Sequence, residues 1–485
     1  MSKHHSVIVW FRNDLRVSDH PALVAAAQTG CPIIPIFILD EDARALGGAS
    51  RWWLHHSLQS LEKSLHGLGA TLLLQRGNSL EILQQVIERT QATAIYYNKS
   101  ADPSGVDQEN LVAAWGQNQN ISVHPCDPSL LIEPWAMTNK SGDPYRVFTP
   151  FWKAFLAQGR VAEPLPAPKS LTAFQISADL GESLESWDLL PTHPNWAQEF
   201  ALWTPGEAGA LARLQQFFTS GLAEYHNHRN RPDLDGTSRL SPHLRWGEIS
   251  PRQIWFSTQK YAASQGLDYD PFKFGSTGPE AFLRELGWRE FSYNLLYHFP
   301  TLPSLPLQPA FARFPWRQDP EALQRWQHGL TGYPIVDAGM RQLWRIGWMH
   351  NRVRMIVGSF LVKDLQLPWT LGEDWFWDTL VDADPASNAA SWQWVAGCGA
   401  DAAPYFRVFN PVLQGQKFDS NGDYVRLWVP ELARVPTMYL HAPWEAPASV
   451  LRQAGVELGT TYPHPIVDHA QARDVALALY ASLKS

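Results

Sequence analysis

The chain has 485 residues, 45% of them hydrophobic, which is more than one core usually organises and predicts two or three domains rather than a disordered protein. A net charge of −8 excludes a uniformly basic nucleic-acid binder but leaves room for a local positive patch. Three cysteines, Cys31, Cys126 and Cys398, share no metal-like spacing and make an odd set for a disulfide framework, so a reducing setting and no metal site are expected.

In chain order, the apolar run before Arg12 is too short for a signal-peptide core, and no later run reaches membrane-spanning length. A cytoplasmic protein with no membrane partner is expected. SVIVWF, PIIPIFIL, ATLLLQ and AIYYNK read as short buried strands, separated by helical stretches such as 51–68 and 79–88. That alternation predicts a doubly wound parallel α/β sheet over residues 1–133. Gly67-Leu68-Gly69 precedes a strand and lacks a third glycine, so it is not a phosphate loop. Residues 134–205, rich in proline and small residues, read as a long linker over the surface. From 206 to 485 strand signals nearly vanish and helical periodicity dominates, as in 279–298 and 339–365.

The helical half carries the chemistry. Fourteen of the 23 tryptophans fall between Trp246 and Trp444, as core filler, as stacking surfaces or as an electron path. Thr237, Ser238, Arg239, Leu240 and Ser241 precede a helix, with Ser241 as the expected N-cap and Pro242 at the first helical position; ordinary capping or a pyrophosphate cradle both fit. Glu285, Trp288, Arg289 and Ser292 share one helix face, suited to a nucleobase pocket or to a partly exposed salt bridge. The run 344–355 is expected to be one helix, on which Asn351 and Met355 lie one turn apart with Arg354 adjacent. Around it Arg341, Arg345, Arg352, Arg354 and Lys363 occur without a carboxylate, as a DNA-facing patch or a solvated helix face. Asp382 and Asp384 need partners if buried, Arg354 being a candidate, and Trp392 and Trp394 should point to opposite sides.

WFRNDLRVSDHPAL, GTSRLSPHLRWGEISPRQ, ELGWREFSYNLLYHFP, TGYPIVDAGMRQLWRIGWMHNRVRMIV, DADPASNAASWQW and FNPVLQGQKFD occur in that order. In these motifs the whole chain resembles the photolyase/cryptochrome family. The resemblance implies FAD held in the helical domain and light-driven splitting of cyclobutane pyrimidine dimers in DNA, by electron donation from excited reduced FAD to a flipped-out dimer. Carried over by motif, Tyr225, Thr237, Ser238, Arg239, Leu240, Ser241, Arg289, Arg354, Asp382, Asp384 and Asn388 are the expected FAD contacts, with Asn388 beside flavin N5. Glu285, Trp288, Asn351, Met355 and Trp394 line the implied dimer pocket; Arg229, Arg352 and Gln414 are DNA-side contacts; Trp392, Trp369 and Trp316 form the implied electron relay. Asn388 and Met355 are photolyase-like choices, whereas DAGMRQLW and FWDTLVDAD resemble plant cryptochromes, a mixture similar to class III dimer photolyases. That group implies a methenyltetrahydrofolate antenna, with a deazaflavin as the alternative, in a monomer. Pro385, and Ala389-Ala390-Ser391 after Asn388, depart from the common pattern. The competing function is a cryptochrome photoreceptor without repair activity.

Overall fold

The computed structural model describes residues 5–483 apart from 178, 268 and 403–405. Strands β1 (Val7–Phe11), β2 (Ile33–Leu39), β3 (Leu73–Arg76), β4 (Ala94–Asn98) and β5 (Ser122–Cys126) form one parallel sheet in the order β3-β2-β1-β4-β5. Helices α1 (Pro21–Gln28), α2 (Gly48–Gly67), α3 (Ser79–Thr90) and α4 (Pro103–Gln119) cover its two faces. Side chains alternate along β1: Val7, Val9 and Phe11 pack with Leu23 of α1 and Trp53 of α2, while Ile8 and Trp10 pack with Leu83 of α3 and Val112 of α4. A strand buried on both faces reads as an unbroken apolar run, which is why β1 to β4 are visible in the sequence. β5 is not among the expected strands. It is an edge strand, SVHPC, largely exposed and interrupted by Pro125, so it has no apolar run to find.

The stretch expected to be a surface linker contains a buried helix, α5 (Phe148–Leu156), whose Phe151, Trp152 and Phe155 sit in the core of the helical half. Beyond it come α6 (Glu207–Ser220), α7 (Tyr225–His228), α8 (Ser241–Arg245), α9 (Pro251–Ser264), α10 (Gly278–His298), α11 (Pro320–Gln327), α12 (Pro334–Ile346), α13 (Asn351–Ser359), α14 (Trp369–Thr379), α15 (Pro385–Ala396) and α16 (Pro411–Phe418). No strand follows β5 among the described residues. α12 and α13 correct the expectation of one helix across 344–355 and 339–365. Gly347 adopts a left-handed φ of 65°, ends α12 and lies against the Phe200 ring, where a Cβ would stand 2.6 Å from the nearest atom. His350 then caps α13, its Nδ1 accepting from the Arg352 amide at 3.1 Å.

The sheet and the helical half share an apolar core: Trp246, Ile346, Trp348 and Val381 belong to the same cluster as Val7, Phe11 and Trp53. Buried polar contacts cross the same boundary. Trp53 Nε1 donates to Glu248 at 3.0 Å, and Arg16 Nη1 donates to the Gly247 carbonyl at 2.8 Å. Among the described residues no helix is long and apolar enough to cross a membrane.

Candidate functional site

One wall of the helical half is a cluster of cations around an uncharged histidine. Burial, reinforced by the neighbouring Arg352, Arg354 and Arg239, pushes the pKa of His350 down to about 3, so the imidazole is neutral at physiological pH. His350 Nε2 and Arg239 Nε are buried without a hydrogen-bond partner among the described residues. Arg239 holds a left-handed φ of 50°, pairs with Asp235 at 3.2 Å and lies 5.2 Å from the Trp348 ring. Arg213 from α6 donates to the carbonyls of Ser238 at 2.8 Å and Thr237 at 3.0 Å, which fixes that turn. Leu240 is buried. Ser241 is the first residue of α8, with Leu240 as the N-cap, so the expected capping role is displaced by one position. The Ser241 hydroxyl instead donates to Asp382 at 2.5 Å.

Asp382 is the buried carboxylate that Arg354 satisfies, through Nη1 at 3.1 Å and Nη2 at 2.8 Å, as expected of a bidentate pair. Asp384 caps α15, accepting from the Ala386 and Ser387 amides at 3.1 and 2.7 Å, and also accepts from Tyr293 Oη at 2.7 Å. Arg289 of α10 lies 4.8 Å from the Tyr293 ring and 3.4 Å from Glu290. Burial pushes the Glu290 carboxyl up to about 7 against the opposing charge of Arg289. Asn388, one turn into α15, donates from Nδ2 to the backbone oxygen of Glu373 at 3.0 Å and to its Oε1 at 2.8 Å.

The residues expected at the dimer pocket occupy neighbouring elements. Glu285 on α10 forms an ion pair with Arg229 at the end of α7, two residues with no local pattern to join them. Partial burial raises the Glu285 pKa while Arg229 opposes the rise. Tyr225, also on α7, is buried, 5.9 Å from the Arg229 guanidinium. Trp288 lies flat on Phe148 of α5, with ring centroids 3.8 Å apart, so one indole face is already covered. Asn351 is exposed at the start of α13, and Met355 is partly buried one turn on. Arg352 donates to Asn230 at 2.7 Å and lies 4.5 Å from the Phe418 ring. Gln414 is partly buried on α16. Trp394 is partly buried, with Nε1 donating to the Asp401 carbonyl at 3.1 Å, while Trp392 is buried, as expected of opposite directions.

Trp392 meets Phe376 at 5.0 Å and Trp326 at 6.2 Å, Trp369 is buried at the start of α14, and Trp316 is partly buried against Phe314 at 4.2 Å. Exposure therefore rises from Trp392 and Trp369 to Trp316. The basic stretch is less open than its composition suggests. Arg341 pairs with Glu431 and Arg345 with Glu199, each at 2.7 Å, and Lys363 is buried, donating to the Arg407 carbonyl at 3.1 Å. These carboxylates come from distant segments, so a window of sequence without acids does not describe the charge around it. Sequence reasoning also missed Glu373, whose meeting with Asn388 depends on the packing of α14 on α15, and His350, which Arg239 approaches from a remote segment.

Residues 7–169 match the family described as DNA photolyase, and residues 282–482 match the FAD binding domain of DNA photolyase. The fold and the site thus define a two-part flavoprotein. A deoxyribodipyrimidine photo-lyase of Agrobacterium fabrum is 50% identical over 479 residues, 99% of this chain and 98% of that protein. Cryptochrome-1 of Arabidopsis thaliana is 40% identical over 96% of this chain and 69% of its own length. A bacterial class III photolyase from Agrobacterium tumefaciens, solved by crystallography, superimposes with a TM-score of 0.95 at 50% identity, covering 100% of this chain and 98% of that one. The chain belongs to the photolyase/cryptochrome family, and within it is similar to the bacterial class III photolyases.

Proposed function

We propose that this protein repairs cyclobutane pyrimidine dimers in DNA under light, with FAD as its catalytic cofactor. The observation that carries the reading is that the guanidinium cluster around neutral His350, the Arg354–Asp382 pair, the oriented Asn388 amide and the Glu285–Arg229 pair lie on or beside helices that pack on one another. The first is suited to a pyrophosphate, whose oxygens would meet the unpartnered Arg239 Nε. Asp382, Asp384 and Asn388 offer acceptors and an amide to the hydrogen-bonding edge of a flavin. Arg289, Tyr225, Thr237, Ser238, Leu240 and Ser241 complete that set by their motif positions.

FAD, when bound, supplies the photoexcited electron chemistry. The chain's own residues bind, orient and exclude water. Glu285, Trp288, Asn351, Met355 and Trp394 receive the flipped lesion, while Arg229, Arg352 and Gln414 meet the DNA backbone. Glu285, with Arg229 paired to it, is the residue placed to stabilise negative charge developing on the dimer. Trp392, Trp369 and Trp316 carry electrons between the buried site and the surface. The antenna is methenyltetrahydrofolate, or alternatively a deazaflavin, and the absorption spectrum of the purified protein distinguishes them.

Blue-light illumination of a dimer-containing oligonucleotide with the reduced protein tests the assignment, and restored pyrimidines are the expected product. The cryptochrome reading draws on the 40% identity to an Arabidopsis cryptochrome. Photoreduction of the flavin without repair would favour it.

A further inference from the structure

We propose that Arg44, in the segment between β2 and α2, is a positioning residue for the flavin-facing amide of Asn388 and acts through the carboxylate of Glu373. The inference rests on the reading of Asn388 as the residue beside flavin N5. Arg44 reaches across from the sheet domain and grips both oxygens of Glu373, Nη1 to Oε1 at 2.9 Å and Nη2 to Oε2 at 2.8 Å. The guanidinium also packs over Trp377 at 4.3 Å, and the segment is seated on α14 by Trp377 Nε1 donating to the Ala45 carbonyl and the Gly48 amide donating to Asp378, each at 2.8 Å. The Arg44 side chain is 39% exposed, whereas that of Glu373 is 3% exposed. The pair therefore links a solvent-accessible cation to a buried anion in contact with the cofactor site. Burial alone would lower the pKa of Arg44, but the hydrogen bonds and charge of Glu373 outweigh it and hold it above its ordinary value.

The chemistry of the amide makes this contact consequential. An ionised carboxylate and a backbone carbonyl only accept hydrogen bonds, so the Asn388 atom facing Glu373 must be the nitrogen, and both of its hydrogens are used there. Oδ1 is then turned away from Glu373 as an acceptor, matched to a protonated N5. A Glu373 side chain able to donate would leave only the Glu373 backbone oxygen to favour the nitrogen, and the amide would more readily turn its N–H groups toward N5. By gripping both oxygens of Glu373, Arg44 keeps Oε1 placed as an acceptor for the Asn388 nitrogen and so opposes the flip.

Among the described residues no other cation meets Glu373. Asp374, next to it on α14, shares Arg44 Nη2 at 2.8 Å, and Asn388 is its neutral partner on α15. On α2, Arg51 is committed to the Asp188 carbonyl; in the turn after α13, Lys363 is committed to the Arg407 carbonyl and Asp364 to His469. A buried carboxylate stripped of its cation takes up a proton as the pH falls.

The test is nitrogen-15 NMR of the holoprotein loaded with FAD enriched at N5 and kept oxidised, followed from about pH 6 to about pH 9. The parent resonance is expected to stay constant. In Arg44→Gln it should move to higher field as pH falls, because the flipped amide donates to N5. Arg44→Lys, which keeps a cation, should restore most of the parent behaviour. Glu373→Gln, which can donate at any pH, should show the displacement without the pH dependence, and it serves as the test if Arg44→Gln does not fold. Asn388→Ala tests the underlying reading and should move the resonance in every condition. If Asn388→Ala moves it while Arg44→Gln and Glu373→Gln overlay the parent at every pH, the role of Arg44 is overturned and the cofactor site stands. If Asn388→Ala has no effect either, both fall.

Discussion

Trp392 and His350 show how burial selects what one side chain can do. Trp392 is enclosed by Phe376, Trp326 and the backbone of α14, so its indole is shielded from solvent and, in the proposed relay, has the flavin as its electron partner. Trp392→Phe is expected to abolish light-driven reduction of oxidised FAD, while repair by chemically reduced protein survives; steady-state illumination and a repair assay on one preparation check both halves. Loss of both activities would instead assign Trp392 to packing of the flavin site. His350 poses a different case. Its native pKa near 3 lies below the value of about 6.5 for the unfolded chain, so between those limits the unfolded chain binds the extra proton. Native stability therefore falls as pH drops through that window, by up to about 1.4 kcal/mol per unit from this residue. In His350→Gln the decline of Tm between about pH 6.5 and pH 4.5 should be shallower than in the parent, read by calorimetry.

At the scale of elements, α14 and α15 approach each other closely. A Cβ on Gly372 would stand 2.1 Å from the Trp392 ring, so that helix pair admits only glycine there without a shift. Gly372→Ala should cost about 1–3 kcal/mol by overpacking and slow photoreduction by displacing Trp392, measured by denaturant unfolding and flavin bleaching under light. The same elements show what a sequence reveals. β1 to β4 were legible because both faces are buried, and Asp382 with Arg354 because a paired buried carboxylate demands a cation. The break at Gly347 was not, because apolar spacing continues through a left-handed glycine as it would through a helical one. Ser241 looked like a cap because capping chemistry and ligation of Asp382 ask for the same hydroxyl. Arg44 and Glu373 carry no local signal at all, since their contact spans 329 positions and exists only once the sheet docks on α14.

Across the whole molecule, a net charge of −8 must be reconciled with the polyanionic substrate proposed for it. Arg341, Arg345 and Arg229 are each neutralised by an ion pair, which leaves attraction to a small region around Arg352. Few phosphates are then contacted, so affinity for dimer-containing duplex should fall with salt along a shallow slope, each neutralised phosphate contributing about −0.9 to it. An undamaged duplex should bind more weakly, because flipping an intact base costs a few kcal/mol more than flipping a poorly stacked lesion. Fluorescence anisotropy at several salt concentrations checks both, and equal binding of damaged and intact DNA would contradict a lesion pocket.

The apolar cluster that joins Trp246, Ile346, Trp348 and Val381 to the strands of the sheet has a consequence for exchange with solvent. Neither half can open without exposing indole and aliphatic surface that belongs to the other, together with the Trp53–Glu248 and Arg16–Gly247 contacts. Core amides of β1 and of α12 should therefore lose deuterium protection in one cooperative event with one opening free energy, despite lying in separate halves of the chain. Hydrogen exchange followed by mass spectrometry would show a single shared transition, and two halves that cannot come loose from each other keep a constant separation for as long as the protein is folded.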